Sequence, residues 1–278
     1  MLKRAYVEIT NRCNLRCSFC PGTRRAPRDM TEAEFAVVLD KLRPFVSYVY
    51  LHVMGEPLLH PGLEALLELA SERTLNVCIT TNGTLLTCRS DALLQAKALY
   101  KISVSLHSAE GNGAAADPAW LASVWDFVRS AAARGVICAL RLWNEGGADA
   151  GNAAILDFLR EKTGRDSWPE PRARSFRLGE RLYLEREPSF AWPDPGAAET
   201  CTQFCRALRD QLGVLADGTV VPCCLDHEGE LALGNLFRQE LAEILCSERA
   251  RAIREGFSRR RPAEELCRRC GYAARFNV

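Results

Sequence analysis

Methionine and histidine are scarce in this sequence, three and four residues of 278. No sign of charge dominates either: 36 basic and 35 acidic side chains leave a formal net charge of +1. Such a balance carries no global attraction for nucleic acid or an anionic membrane. No run of about eighteen apolar residues occurs, which excludes a membrane helix read from hydropathy. The opening MLKRAYVEIT enters an apparent strand without a secretory apolar segment. A cytoplasmic protein with no nucleic-acid and no membrane partner is expected. Internal repeats and low-complexity tracts are absent too, and 47% hydrophobic with 26% charged residues suits a packed core rather than disorder.

Cysteine, by contrast, is plentiful. Thirteen are present, an odd number with no secretory signal, which argues against a disulfide framework and leaves thiols available to metal. Cys13, Cys17 and Cys20 cluster near the start. Cys201, Cys205, Cys223, Cys224, Cys246, Cys267 and Cys270 crowd the last third. The intervening Cys78, Cys88 and Cys138 read as ordinary small core residues.

Between residue 5 and about residue 142, short β-branched runs alternate with segments of helical period, a β/α pattern. Strands are predicted at 5–10, 47–53, 75–80, 101–106 and 136–142, and helices near 31–43, 61–73, 89–99 and 118–134. Thr31 with Glu34 makes a capping box, Asp117 caps a helix that opens on Pro118, and Gly135 ends it. Right-handed crossovers curl such units into a barrel or wind them into an open sheet, with the site beyond the strands' carboxyl ends. The expected fold class is α/β, a partial (β/α)6 TIM-like barrel.

From 144 to 200 Gly and Pro punctuate the pattern, leaving a helix near 150–162 and a strand near 180–186, read as the last barrel unit plus a linker. A hairpin around Asp217-Gly218 then opens a small module. A helix near 238–255 follows, then the CRRC run ending at Cys270. Two domains are expected, 1–190 and 191–278.

Cys13, Cys17 and Cys20 form CxxxCxxC just after the first strand. Three ligands are one short of a closed set: a 4Fe-4S cluster held this way keeps one iron open, whereas a structural zinc site wants four closed ligands. Zinc with a distant fourth ligand, or plain core cysteines, are the bland alternatives. The CNLRCSFC segment resembles the signature of the radical S-adenosylmethionine superfamily. That resemblance implies that Cys13, Cys17 and Cys20 ligate the cluster and that Phe19 lies against the adenine.

Gly55-Glu56-Pro57 resembles the family's GGEP motif, with Met54 in place of its first glycine, and implies contact with the methionyl amine. Thr80-Thr81-Asn82-Gly83, with Ser103, Ser105 and His107, resemble its ribose and carboxylate contacts; Thr81, Asn82, Ser103 and Ser105 are the cofactor candidates. Arg141 and Asn144 suit the cofactor carboxylate or a substrate, an arginine fork matching a carboxylate. For the Thr80–Gly83, Ser103, Ser105 and His107 positions a satisfied turn or strand-end polar group is the alternative; for Arg141 it is a surface arginine. His52 and His60, flanking the Gly-Glu-Pro loop, read as core histidines.

Cys205, Cys223, Cys267 and Cys270 supply four thiolates from three segments, enough to close a metal site. The arrangement resembles the SPASM and twitch extensions of the same superfamily, which carry auxiliary 4Fe-4S clusters. One auxiliary cluster is expected, because the chain ends before the further cysteines a second would need. Zinc is the rival occupant, and Cys201 or Cys224 could substitute for a neighbouring ligand. Cys224, Asp226 and His227 are weak candidates for facing a substrate.

The resemblance implies reductive cleavage of S-adenosylmethionine to a 5'-deoxyadenosyl radical, an external electron donor such as flavodoxin or ferredoxin, and a peptide, protein or small-molecule substrate. A zinc-stabilised binding protein and a simple iron-sulfur electron carrier are the rival classes.

Overall fold

The computed structural model describes residues 2–113, 116–200 and 204–276. Six strands run parallel, each hydrogen-bonded to the next: β1 (Arg4–Val7), β2 (Tyr48–Tyr50), β3 (Asn76–Thr81), β4 (Leu99–Ser105), β5 (Ile137–Glu145) and, after an antiparallel β6 (Ser175–Gly179), β7 (Leu182–Pro188). Helices α1 (Glu32–Leu42), α2 (Leu63–Glu72), α3 (Leu86–Gln95), the single turn α4 (Ser108–Gly111), α5 (Pro118–Ala133) and α6 (Asn152–Thr163) make the crossovers. This mixed α/β architecture, built on a parallel sheet, is consistent with a partial TIM-like barrel.

Strand alternation explains which face is which. Val49 and Leu51 from the second strand segment, with Ile102 and Val104 of β4, pack against Phe35 and Leu39 of α1, Leu66 of α2 and Val128 of α5 in one buried core. Each such side chain contributes about 1.5–3 kcal/mol when fully buried. The opposite face of β1 and β2 carries Tyr6, Tyr48 and Tyr50, all half-buried.

The predicted helix caps are present. Thr31 Oγ1 accepts from the Glu34 amide at 3.2 Å while Glu34 Oε2 accepts from the Thr31 amide at 2.9 Å. Asp117 Oδ1 accepts from the Ala119 amide at 3.0 Å.

Several expectations differ in detail. β2 is three residues long, because the chain turns at His52 toward the Gly55 loop. The third helix begins three residues early, at Leu86. Cys88 lies exposed on α3, not in the core, with its thiol donating to the Leu85 carbonyl at 3.2 Å; Cys78 and Cys138 are buried. β6 lies in the stretch read as linker, turned tightly onto β7 through Gly179 and Arg181.

The hairpin is present as β8 (Gln211–Val214) and β9 (Thr219–Val221), with a two-residue β10 (Gly234–Asn235) beside β9. It does not build a sheet of its own: β8 pairs parallel with β1, from Arg4↔Gln211 to Val7↔Val214, so the module extends the barrel sheet. The predicted 238–255 helix is two, α7 (Leu241–Cys246) and α8 (Glu248–Ser258), broken at Ser247, whose extended backbone (ψ 154°) lets its side chain cap α8. A short α9 (Glu265–Arg268) carries Cys267. No helix among the described residues is long and apolar enough to cross a membrane.

Candidate active site and its two thiol groups

The long loop after β1 carries Cys13, Cys17 and Cys20, and all three line a cavity of about 510 Å³ together with Asn11, Met54 and Gly55. Burial pushes each thiol above its ordinary value, and the neighbouring thiols push Cys13 and Cys17 further the same way. Burial raises any thiol in this way; what bears on a metal group is that three sulfurs line one cavity, where bound metal would hold them as thiolates. The donor set therefore fits an iron-sulfur cluster.

Gly55 fixes the far wall. Its φ is +80°, and a Cβ there would lie 2.4 Å from the Thr10 carbonyl oxygen and 2.8 Å from that of Arg12, so only glycine lets this turn rest on the cysteine loop. Glu56 is buried and engaged: Oε1 accepts from the Leu58 amide at 3.0 Å and Oε2 from the Asn82 amide at 2.7 Å. Burial nevertheless pushes its pKa up. Pro57 opens a buried 3₁₀ turn. Asn82 joins the same frame, donating to Asn14 Oδ1 at 2.9 Å beside the cysteines.

A second chamber of about 280 Å³ opens beyond the strand ends and shares Val53, Gly55 and Trp192 with the first. Phe19 lines it, 39% exposed, its ring centroid 4.9 Å from that of His107. Ser105, His107, Arg141 and Thr80 supply the polar wall, and Tyr6, Tyr50 and His52 the floor. Burial pushes Tyr50 up to about 12 and His52 down to about 3, so both stay neutral at ordinary pH.

Not every expected residue reaches this space. Thr80, not Thr81, lines the chamber; Thr81 is buried and its Oγ1 accepts from the Gly83 amide at 3.0 Å. Ser103 is buried and lines neither cavity, unlike Ser105. Asn144 faces Asn152, with which it exchanges hydrogen bonds of 3.1 and 3.0 Å, and so braces the turn into α6.

Cys205, Cys223, Cys267 and Cys270 line a third, tight cavity of about 50 Å³ together with Cys224. Burial pushes Cys205 up to about 11 and Cys223 well above its ordinary value, where the surrounding thiolates raise it further. A cluster fits here on the same argument. Among the described residues, no three His, Cys, Asp or Glu side chains close around one point as a single ion requires. The thiols ring cavities instead. Cys201, the alternative ligand, lies outside the described residues, and Cys246 is exposed.

Cys224 also lines the 280 Å³ chamber, with Tyr6, Leu225 and Tyr272. The other two weak candidates do not. Asp226 accepts from the Glu230 and Leu231 amides, both at 2.9 Å, as the cap of a turn. His227 packs its ring 5.4 Å from that of Trp192.

Sequence reasoning missed the aromatic walls, Tyr6, Tyr50, Trp143, Phe190, Trp192 and Tyr272. For Tyr50 a signal existed: Tyr48 and Tyr50 alternate with buried Val49 along β2, and half-buried Tyr6 takes the same place in β1, which marks a strand side that no helix covers.

A parallel α/β sheet with three thiols in the loop after its first strand, and four more lining a neighbouring cavity, has the layout of an iron-sulfur enzyme. Residues 7–137 match the radical SAM superfamily and residues 205–271 the SPASM iron-sulfur cluster-binding domain. The chain belongs to the radical SAM superfamily and carries a SPASM domain. Membership brings a 4Fe-4S cluster and S-adenosylmethionine to the first region and auxiliary iron-sulfur ligation to the second.

Over 109 residues it is 36% identical to the tungsten-containing aldehyde ferredoxin oxidoreductase cofactor-modifying protein of Pyrococcus furiosus, covering 38% of this chain and 29% of that protein. Over 118 residues it is 37% identical to the GTP 3',8-cyclase of Aquifex aeolicus, covering 38% and 36%. The chain thus spans about a third of the length of the curated relatives it matches. In fold it resembles BtrN crystallised with AdoMet and 2-DOIA (TM-score 0.65, 16% identity, 97% of this chain and 93% of that one). It also resembles Streptococcus suis SuiB bound to the precursor peptide SuiA (TM-score 0.65, 15% identity, 100% and 73%). At these identities the likeness is one of fold.

Proposed function

We propose that residues 1–190 generate a substrate radical in the 280 Å³ chamber and that residues 191–278 take up its electron, giving a net two-electron oxidation. The observation that carries this reading is the shared walls. Val53, Gly55 and Trp192 belong to both the cysteine cavity and the chamber, and Tyr6, Cys224, Leu225 and Tyr272 to both the chamber and the auxiliary cavity. A path from one thiol group to the other therefore runs through the chamber.

In this reading Cys13, Cys17 and Cys20 ligate the open cluster, the Gly55-Glu56-Pro57 turn receives the methionyl end of the cofactor, and Phe19 supports the adenine. Asn82 and Thr81 hold that turn in place, while Ser105 and Arg141 offer polar contacts from the strand ends. Cys205, Cys223, Cys267 and Cys270 ligate one auxiliary 4Fe-4S cluster. The chemistry supplied when cluster and cofactor are bound is reductive cleavage to methionine and a 5'-deoxyadenosyl radical, which takes a hydrogen atom from the substrate. The protein holds the substrate carbon close to the cofactor and keeps water out.

A chamber of about 280 Å³ lies near the small end of ligand pockets and suits a small molecule such as a sugar or one side chain of a peptide or protein. BtrN with its small ligand and SuiB with its peptide support either kind. An external donor such as flavodoxin or ferredoxin supplies the electron.

The test is anaerobic reconstitution with iron and sulfide, then dithionite and S-adenosylmethionine, following 5'-deoxyadenosine by chromatography. Its formation is the expected result. A colourless zinc-bearing protein that leaves S-adenosylmethionine intact would sink the reading.

A further inference from the structure

Glu8 has no place in the site as described, yet it is a fully buried carboxylate on the first strand segment. Its Oε1 accepts from Arg25 Nη1 at 2.6 Å and from the Ala216 amide at 3.2 Å. Its Oε2 accepts from Arg25 Nη2 at 2.7 Å and from the Met54 amide at 3.1 Å. The donors come from three separate segments: the loop just past Cys20, the turn that leads into Gly55, and the β8–β9 turn of the SPASM module.

Further bonds run along the same seam. Arg25 Nε donates to the His227 carbonyl at 2.8 Å, the Arg24 amide to Glu228 Oε1 at 3.0 Å, and Arg28 Nε to the Ala216 carbonyl at 2.9 Å.

Strand packing alone does not call for this charge. Val7 and Ile9 on either side are buried and apolar, and a well-packed apolar residue commonly replaces a buried ion pair without loss of stability. What an apolar residue cannot do is orient four donors at once. A bidentate guanidinium and two amides, all converging on one carboxylate, fix direction as well as distance.

We infer that Glu8 is a positioning residue, which locks the cysteine loop, the Gly55 turn and the auxiliary module into one geometry and so sets the two iron sites against each other. The contacts stand by themselves; what they position rests on the function proposed above. Glutamine keeps the shape but offers one acceptor oxygen and turns an NH2 toward donors.

The decisive experiment is hydrogen exchange by mass spectrometry on the anaerobically reconstituted protein and its Glu8→Gln variant. Peptides covering 11–31, 52–56 and 214–230 are expected to exchange about tenfold faster or more, all three together, while α2 and α5 keep their protection. In reconstituted protein, the change that S-adenosylmethionine makes in the EPR spectrum of the reduced first cluster is expected to weaken in the variant. Its KM for S-adenosylmethionine should rise about tenfold, with kcat for cleavage falling less.

Should Glu8→Gln fail to fold, the double variant Glu8→Gln/Arg25→Met removes both charges. It is expected to fold and still to loosen all three segments. Unchanged exchange, or loosening of the 11–31 loop alone, in whichever variant folds, overturns the inference. A wild-type protein whose first cluster ignores S-adenosylmethionine would instead overturn the proposed function and leave the exchange result standing.

Discussion

Arg141 Nε donates to Glu185 Oε2 across 3.1 Å at the edge of the chamber. Lys101 Nζ holds the other carboxylate oxygen at 2.7 Å, Arg141 Nη1 donates to Thr80 Oγ1 at 3.2 Å, and the guanidinium stands 4.5 Å from the Trp143 ring centroid. Burial pushes the Glu185 pKa up, but the two cations outweigh it and hold it below its ordinary value. Two cations share one carboxylate, so this end of the chamber is electropositive, suited to a carboxylate or carbonyl oxygen.

Replacing Arg141 by lysine keeps the charge and loses the fork. Glu185 retains Lys101, so the carboxylate is not stranded; what is lost is the Nε bond to Glu185, the Thr80 bond and the stacking on Trp143. A destabilisation of about 1–2 kcal/mol is expected, read as a lower urea midpoint with an unchanged slope. An Arg141→Lys protein as stable as wild type would show that the ring contact carries no weight.

Gly55→Ala tests the loop contact. The new Cβ meets the Thr10 and Arg12 carbonyl oxygens at 2.4 and 2.8 Å, in a backbone conformation that already disfavours a side chain. The turn must back away from the cysteine loop, at a cost of about 1–3 kcal/mol. Thermal unfolding of the metal-free protein reads the cost, and iron bound per chain after reconstitution reads the displaced loop.

Much of this was legible in the residues themselves. The Thr31–Glu34 box, the Asp117-Pro118 helix start and the Asp217-Gly218 turn are local chemistry, and each appears as expected. The cysteine spacing carried both thiol groups. What it could not carry is register: which neighbour of a strand-end pair turns inward is a two-residue question, and Thr80 and Thr81 exchanged roles on it. The docking of β8 along β1 pairs residues more than 200 positions apart with no motif to announce it. Glu8 and Arg25 escaped for the same reason, since a charge in a strand reads as solvent-facing until its partners are known.

Acid sensitivity follows from His52 and His107, both lowered by burial, and His107 is the one whose full contribution falls within an accessible pH range. Burial pushes its pKa from 6.5 down to about 4; a hydrogen bond to the Arg141 carbonyl opposes this and the Arg141 charge reinforces it. Between those values the unfolded chain binds a proton that the folded chain refuses, so stability is full above about pH 6.5 and falls as the pH drops toward 4. The loss approaches about 1.4 kcal/mol per pH unit from this one group. Urea unfolding of the metal-free protein at pH 4.5 and 7 should show it, and His107→Asn should flatten the pH dependence by about one proton. An unaltered slope in the variant would assign the acid loss to other groups.

The two thiol groups should separate cleanly by substitution. Cys17 sits in the open set, its thiol receiving a hydrogen bond from Asn112 Nδ2 at 3.1 Å, and Cys17→Ala leaves two sulfurs where a cluster needs three. S-adenosylmethionine cleavage is expected to vanish, while the auxiliary site keeps its iron. Cys270 is buried in the other set, and Cys270→Ala removes one of the four ligands proposed there. Iron should fall from about eight per chain toward about four, and 5'-deoxyadenosine should still form, because the cavity lined by Cys13, Cys17 and Cys20 contains no residue of that set. Iron analysis and chromatography of 5'-deoxyadenosine on the same samples decide the matter: if Cys270→Ala also abolishes cleavage with its first cluster intact, the auxiliary site takes part in the cleavage step itself rather than after it.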